Sequence, residues 1–130
     1  MGWRDFLSNR VETSDTHPNE NLKTRYYKTT QQQAMRFLKD LIEQDSRLRL
    51  LSYSEEHAEI TAEYIKPKKA FMVISVIMVF PYRTAVDFTI STQTLWPTDW
   101  GFSRNQVQYF YRKLDGRFEF AGTGLGAQKG

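Results

Sequence analysis

The sequence predicts an α+β fold: an antiparallel sheet of four to six strands with two helices on one face, in the order β-α-β-β-β-β-α(-β). Three observations carry this. Two stretches repeat their apolar residues with helical spacing, four others alternate with the period of a strand, and turn-forming residues separate them. At 130 residues, with 40% hydrophobic and 15% aromatic side chains, the chain suits one domain with a substantial core.

Taken in order, residues 1–21 read as a flexible N-terminal arm. Segment 8–21 (SNRVETSDTHPNEN) is polar and turn-rich, although Trp3, Phe6 and Leu7 could form one apolar helical turn before it. Leu22–Lys28 reads as a short strand with β-favouring tyrosines. Thr29 and Thr30, each followed three residues later by a glutamine, open a helix over 30–45. Ala34, Phe37, Leu38, Leu41 and Ile42 form its apolar stripe.

The four strands are Arg47–Tyr53, Ala58–Ile65, Phe71–Phe80 and Thr84–Thr94. Matching the apolar sets of the first two, with a loop of about five residues over 54–58, places Leu48 by Tyr64, Leu50 by Ala62 and Arg49 by Glu63. A three-residue loop, Pro81-Tyr82-Arg83, would set Phe80 by Thr84, Met78 by Val86 and Ile77 by Asp87. Even-numbered residues then face the core throughout. A second helix starts from Ser103 as N-cap, buries Val107, Phe110, Tyr111 and Leu114, and stops at Gly116. Arg117–Phe120 allows a last strand, and 121–130 reads as a disordered tail, leaving 22–120 as the domain.

Charge and composition remove several function classes. The net charge of +3 is too small to argue for nucleic acid. Four acids without a base in 51–65 precede four bases without an acid in 66–83, which suits cross-strand partners better than one binding face. Without cysteine there is no thiolate nucleophile and no cysteine metal site. His17 and His57 lie in polar, turn-like segments, so neither a metal nor another cofactor is expected. The N-terminus lacks the layout of a signal peptide, and the longest apolar run, Phe71–Phe80, is about half a membrane span. A cytoplasmic location follows as the simplest expectation.

The odd-numbered face poses the open question. An antiparallel sheet with helices on one side usually turns polar residues to water on the other. Here that side carries Leu51, Ile65, Phe71, Val73, Ile77 and Val79. Leaving six such residues bare forgoes on the order of 10 kcal/mol, comparable to a small domain's net stability. The cover could come from Trp3, Phe6 and Leu7 or from Phe118 and Phe120, from a second copy of the chain, or from an apolar ligand. Asp87 lies on this face and calls for a base such as Arg49 or Lys69.

The remaining motifs favour bland roles. Glu59 and Glu63 fit a solvated strand, and Lys66-Pro67-Lys68-Lys69 fits a soluble hairpin tip. Gly122-Thr-Gly-Leu-Gly126 lacks the strand and helix of a phosphate loop. Tyr26-Tyr27 and Tyr109-Phe110-Tyr111 have basic neighbours, as single-strand stacking platforms do, but helical spacing sends Phe110 and Tyr111 to the core.

Ser91–Val107 is the most distinctive stretch. It resembles the strand-to-helix signature of an uncharacterised bacterial domain-of-unknown-function family, roughly S-x-S-R-x-G-x-x-D-x-G-x-N-R-x-R-[IV]. Ser91, Asp99, Gly101 and Val107 match, Arg104 falls on the N-R arginine, and Ser103 and Thr94 replace the asparagine and the first arginine. The likeness spans about residues 22–115 and implies a fold but no activity. A ligand, if bound at all, would meet Trp96, Asp99, Trp100 and Arg104, with Asp87 as a further candidate. The structural alternative has Asp99 accept N–H bonds from the helix or pair with Arg104.

The reading that follows is a non-enzymatic binding or interaction module, partnered by itself or by another protein. A carrier or enzyme with an apolar pocket beside Asp87 or Asp99 is one alternative, and a weak single-stranded nucleic-acid binder another.

Overall fold

The computed structural model describes residues 8–93 and 100–123. It contains strands β1 (Ser8–Glu12), β2 (Arg25–Tyr27), β3 (Leu48–Ser54), β4 (Glu59–Tyr64), β5 (Ala70–Phe80), β6 (Arg83–Gln93) and β7 (Phe120–Thr123). The helices are α1 (Gln31–Gln44) and α2 (Trp100–Arg117). All strands join one seven-stranded antiparallel sheet, ordered β3-β4-β5-β6-β2-β7, with β1 paired to β6 alongside β2. The fold is α+β.

Both helices cover the even face. α1 starts where Thr30 accepts the Gln33 N–H at 3.2 Å, while the Thr29 hydroxyl donates to Gln33 Oε1 at 2.8 Å. The N-cap half of a capping box is present, while the glutamine accepts from the side-chain hydroxyl of the preceding threonine rather than from the N-cap N–H. Ala34, Met35, Leu38 and Ile42 of α1 and Val107, Phe110, Tyr111 and Leu114 of α2 are buried, with Ile60, Met72, Ile74, Val86, Phe88 and Ile90 beneath them. The Phe88 ring meets Phe110 at 5.6 Å and Tyr111 at 5.1 Å, tying β6 to α2. Buried hydroxyls find partners across the layers: Tyr64 donates to Gln106 Oε1 at 3.0 Å and Tyr111 to the Val86 carbonyl at 2.8 Å.

Four expectations are revised. Segment 8–21 is no loose arm: β1 pairs residue by residue with β6, and Val11, Thr13 and Leu22 are buried. β1 covers Thr89–Gln93 and β2 covers Thr84–Val86, which leaves Asp87 and Phe88 opposite a gap between them. Thr13 fills it, its N–H bonding the Phe88 carbonyl and its hydroxyl accepting the Phe88 N–H, both at 2.9 Å. A single threonine thereby satisfies backbone that a continuous strand would have paired.

The second helix begins at Trp100 rather than at Ser103, and it runs through Gly116 to Arg117. Ser103 therefore sits inside the helix, on its buried side, and is no cap. The last strand is also displaced, to Phe120–Thr123, because the helix takes up Arg117 and Phe118 follows it into the core.

The β5–β6 hairpin turns on two residues, not three. Phe80 lies opposite Arg83, and Tyr82 carries the turn with φ of 60°. With a bulge at Val79 added to the shorter turn, Val76 meets Val86 and Ile74 meets Phe88, two residues from the expected register, and Asp87 faces Ser75 instead of Ile77. A shift of two preserves which face each residue occupies. The β3–β4 register is as expected, with Leu48 by Tyr64, Arg49 by Glu63 and Leu50 by Ala62.

Candidate interaction surface

Bulges at Leu51 and Val79 interrupt the rule that even numbers face the core. Beyond Leu51, Tyr53 pairs with Ile60 and packs against the core. Beyond Val79, Phe80 pairs with Arg83 and joins the face away from the helices. Along β5 that outer face reads Phe71, Val73, Ser75, Ile77, Phe80.

Cross-strand partners define the flanks of this stripe. On β4 they are Glu63, Thr61 and Glu59; on β6 they are Ser91, Thr89, Asp87, Ala85 and Arg83. The stripe is thus an apolar ridge along β5 between two mostly polar strands. Phe71 is 55% exposed, Ile77 49%, Phe80 48% and Val79 39%; Ile65 at 48% and Leu51 at 43% lie bare beyond it. Val73 is half-buried. The rim carries both signs, since Arg49 of β3 forms an ion pair with Glu63.

The outer face is covered at its other end. Tyr26 pairs with Ala85, packs with Ala121, is only 2% exposed, and donates its hydroxyl to Asp15 at 2.8 Å. From the β1–β2 connection Asp15 meets Tyr26 on this face, while Asn21 and Leu22 of the same connection lie toward α2 and the core. The C-terminal rings give the stripe no cover: Phe118 packs edge-on against Phe37 of α1 at 5.5 Å, and Phe120 meets Tyr27, whose ring belongs to the helix side. Trp3, Phe6 and Leu7 lie outside the described residues.

Asp87 has hydroxyl partners in place of the expected base. Its Oδ1 accepts from Thr13 at 2.7 Å and from Thr24, both held by the β1–β2 connection. Burial pushes its carboxyl above the usual range; the two hydroxyl bonds pull the other way, and the charges of Asp15 and Glu12 add to the rise. This arrangement fastens the connection to β6.

The other sequence candidates do not assemble around it. Trp96 and Asp99 lie outside the described residues, and Trp100 is the first residue of α2. Arg104 is exposed on α2, in the helix layer, whereas Asp87 is on the opposite face of the sheet. Tyr26, Tyr27, Phe110 and Tyr111 are all buried, so none offers a ring for a base to stack on. Among the described residues no group of three or more His, Cys, Asp or Glu could hold a metal ion, and no helix is long and apolar enough to cross a membrane.

Sequence reasoning missed Phe80 as part of the outer face, because a bulge cannot be read from alternation. It also missed Thr13, Thr24 and Asp15, which sit in a segment too polar to suggest packing. Compared with protein-family models, curated proteins and solved structures, the chain matches none.

Proposed function

We propose that this protein is a non-enzymatic interaction module that works as a homodimer, packed sheet against sheet through the β5 stripe. The observation that carries the reading is the exposed ridge of Phe71, Val73, Ile77 and Phe80 on a sheet whose other face is mostly covered by the two helices. With Leu51, Ile65 and Val79 it leaves on the order of 400 Å² of apolar surface bare, within the range at which a monomer's largest patch is often functional. Burying that area is worth about 10 kcal/mol before the costs of association.

Two features favour a second copy over an unlike partner. A two-fold interface needs a patch that complements itself. The stripe has apolar pairs at both ends, Phe71 with Val73 and Ile77 with Phe80, around the small polar Ser75. An axis through Ser75 sets each end of one copy against the other end of its mate. The polar flanks on β4 and β6 then form a rim of mixed charge and bring the buried surface towards the roughly 800 Å² per partner of a stable interface.

A carrier or enzyme centred on Asp87 has less support, since that carboxylate is engaged by two threonine hydroxyls on the structural strap. Sedimentation equilibrium across a wide concentration range tests the dimer. The wild type is expected to approach twice the 15.4 kDa of one chain, and Ile77→Asp to remain monomeric with an unchanged fold. A wild type that stays at one chain's mass at the highest concentration overturns the proposal.

A further inference from the structure

On the far side of the molecule, the end of α1 and the flank of α2 enclose an open cleft of about 780 Å³. Its volume lies within the range of small-molecule sites. Three cations line it, Arg47, Arg112 and Lys113, against one carboxylate, Asp45. That carboxylate is fully committed: Arg47 grips it through Nε at 3.0 Å and Nη2 at 2.8 Å. Arg47 holds the Asp45 carboxyl below its ordinary range, chiefly through these hydrogen bonds.

The site is built rather than fortuitous in two respects. The Arg47 guanidinium is clamped by Asp45 and stacked on the rings of Tyr64 and Tyr109, at 5.6 and 5.5 Å, so it enters the cleft as an oriented donor. Its Nη1 takes no part in the grip on Asp45. Lys113 lies over the same Tyr109 ring at 5.5 Å, and Arg112 is exposed at the rim. The C-terminal end of α1 contributes about half a negative charge, which with Asp45 still leaves a clear positive excess.

We infer that this cleft binds a soluble small molecule through a phosphate group. The match is one of charge and geometry. A phosphate dianion balances the two cations that Asp45 does not neutralise, and an arginine with a free edge presents the planar fork that phosphate oxygens accept. Tyr109 and the amide of Gln106 form the neutral floor beneath them.

The test is a titration of the full chain with pyrophosphate at low ionic strength, followed through backbone amide resonances. Shifts confined to residues 44–47 and 105–113 are expected. They should weaken at least tenfold in Arg112→Ala/Lys113→Ala, whose side chains are exposed and whose core resonances should not move. The same double substitution at Lys66 and Lys69, on the hairpin between β4 and β5, should leave binding unchanged. Absence of shifts, or shifts that the Arg112/Lys113 variant retains, overturns the inference.

Discussion

At the scale of single residues, Asp87 and Tyr64 make the sharpest statements. Asp87 is a carboxylate that the fold buries with hydroxyls but without a base, so its carboxyl titrates higher folded than unfolded. Its contribution is then most favourable at low pH and is lost as pH rises through the folded value. Replacing Asp87 with Asn keeps an acceptor for Thr13 and Thr24 while removing the charge. Thermal unfolding of Asp87→Asn is expected a few degrees above wild type at pH 7. The gap should close as pH falls below about 4, where an ordinary aspartate is already protonated. A variant less stable than wild type at neutral pH would show that the charge itself is favourable. The sequence marked Asp87 as a carboxylate among apolar residues but supplied the wrong partner, because its threonines come from a segment that looks like solvent-exposed turn. Tyr64→Phe removes the donor to buried Gln106 and should cost about 1–3 kcal/mol, measured by urea unfolding.

At the scale of elements, the two faces of β5 should respond differently to the same change. Ile74 is fully buried against Phe88, whereas Ile77 is about half exposed. Ile74→Ala is expected to destabilise by about 2–5 kcal/mol. Ile77→Ala, measured at concentrations where the chain is monomeric, should cost less than about 1 kcal/mol. Comparable losses at both positions would mean the outer face is covered within one chain. Thr30→Ala should lose about 1 kcal/mol by removing the cap of α1.

These elements also show what could be read in advance. α1 follows from periodicity, and the β3–β4 register from periodicity, which fixes its parity, together with a loop of about five residues, which selects Leu48 opposite Tyr64. Periodicity fixes the parity of β5 against β6, which a three-residue turn meets directly and the two-residue turn at Pro81-Tyr82 meets only with the bulge at Val79. The start of α2 was obscured because Ser103 and Gln106 imitate a cap, whereas burial assigns both to the packed side of a longer helix. β1 was hidden for another reason: an edge strand with only Val11 to bury needs backbone pairing more than apolar content.

At the scale of the whole molecule, the described residues cover most of one face of the sheet and leave an apolar ridge bare on the other. Two helices, with Phe118 after the second, cover most of the even side, Met78 at its end remaining exposed. On the outer side Asp15 of the β1–β2 connection accepts a hydrogen bond from Tyr26. The surplus of apolar residues was plain from alternation alone, while its shape as a ridge rather than a broad patch depends on the polar partners that the register sets beside it. Because the chain contains no cysteine, a nitroxide placed at Ser75→Cys reports on one position at the centre of the ridge. Packed sheets lie about 10 Å apart, so pulsed dipolar spectroscopy should find a narrow separation below roughly 25 Å between labels on two copies. A sample at the same concentration with no dipolar coupling between copies, or with separations spread far beyond that value, would contradict pairing through this face.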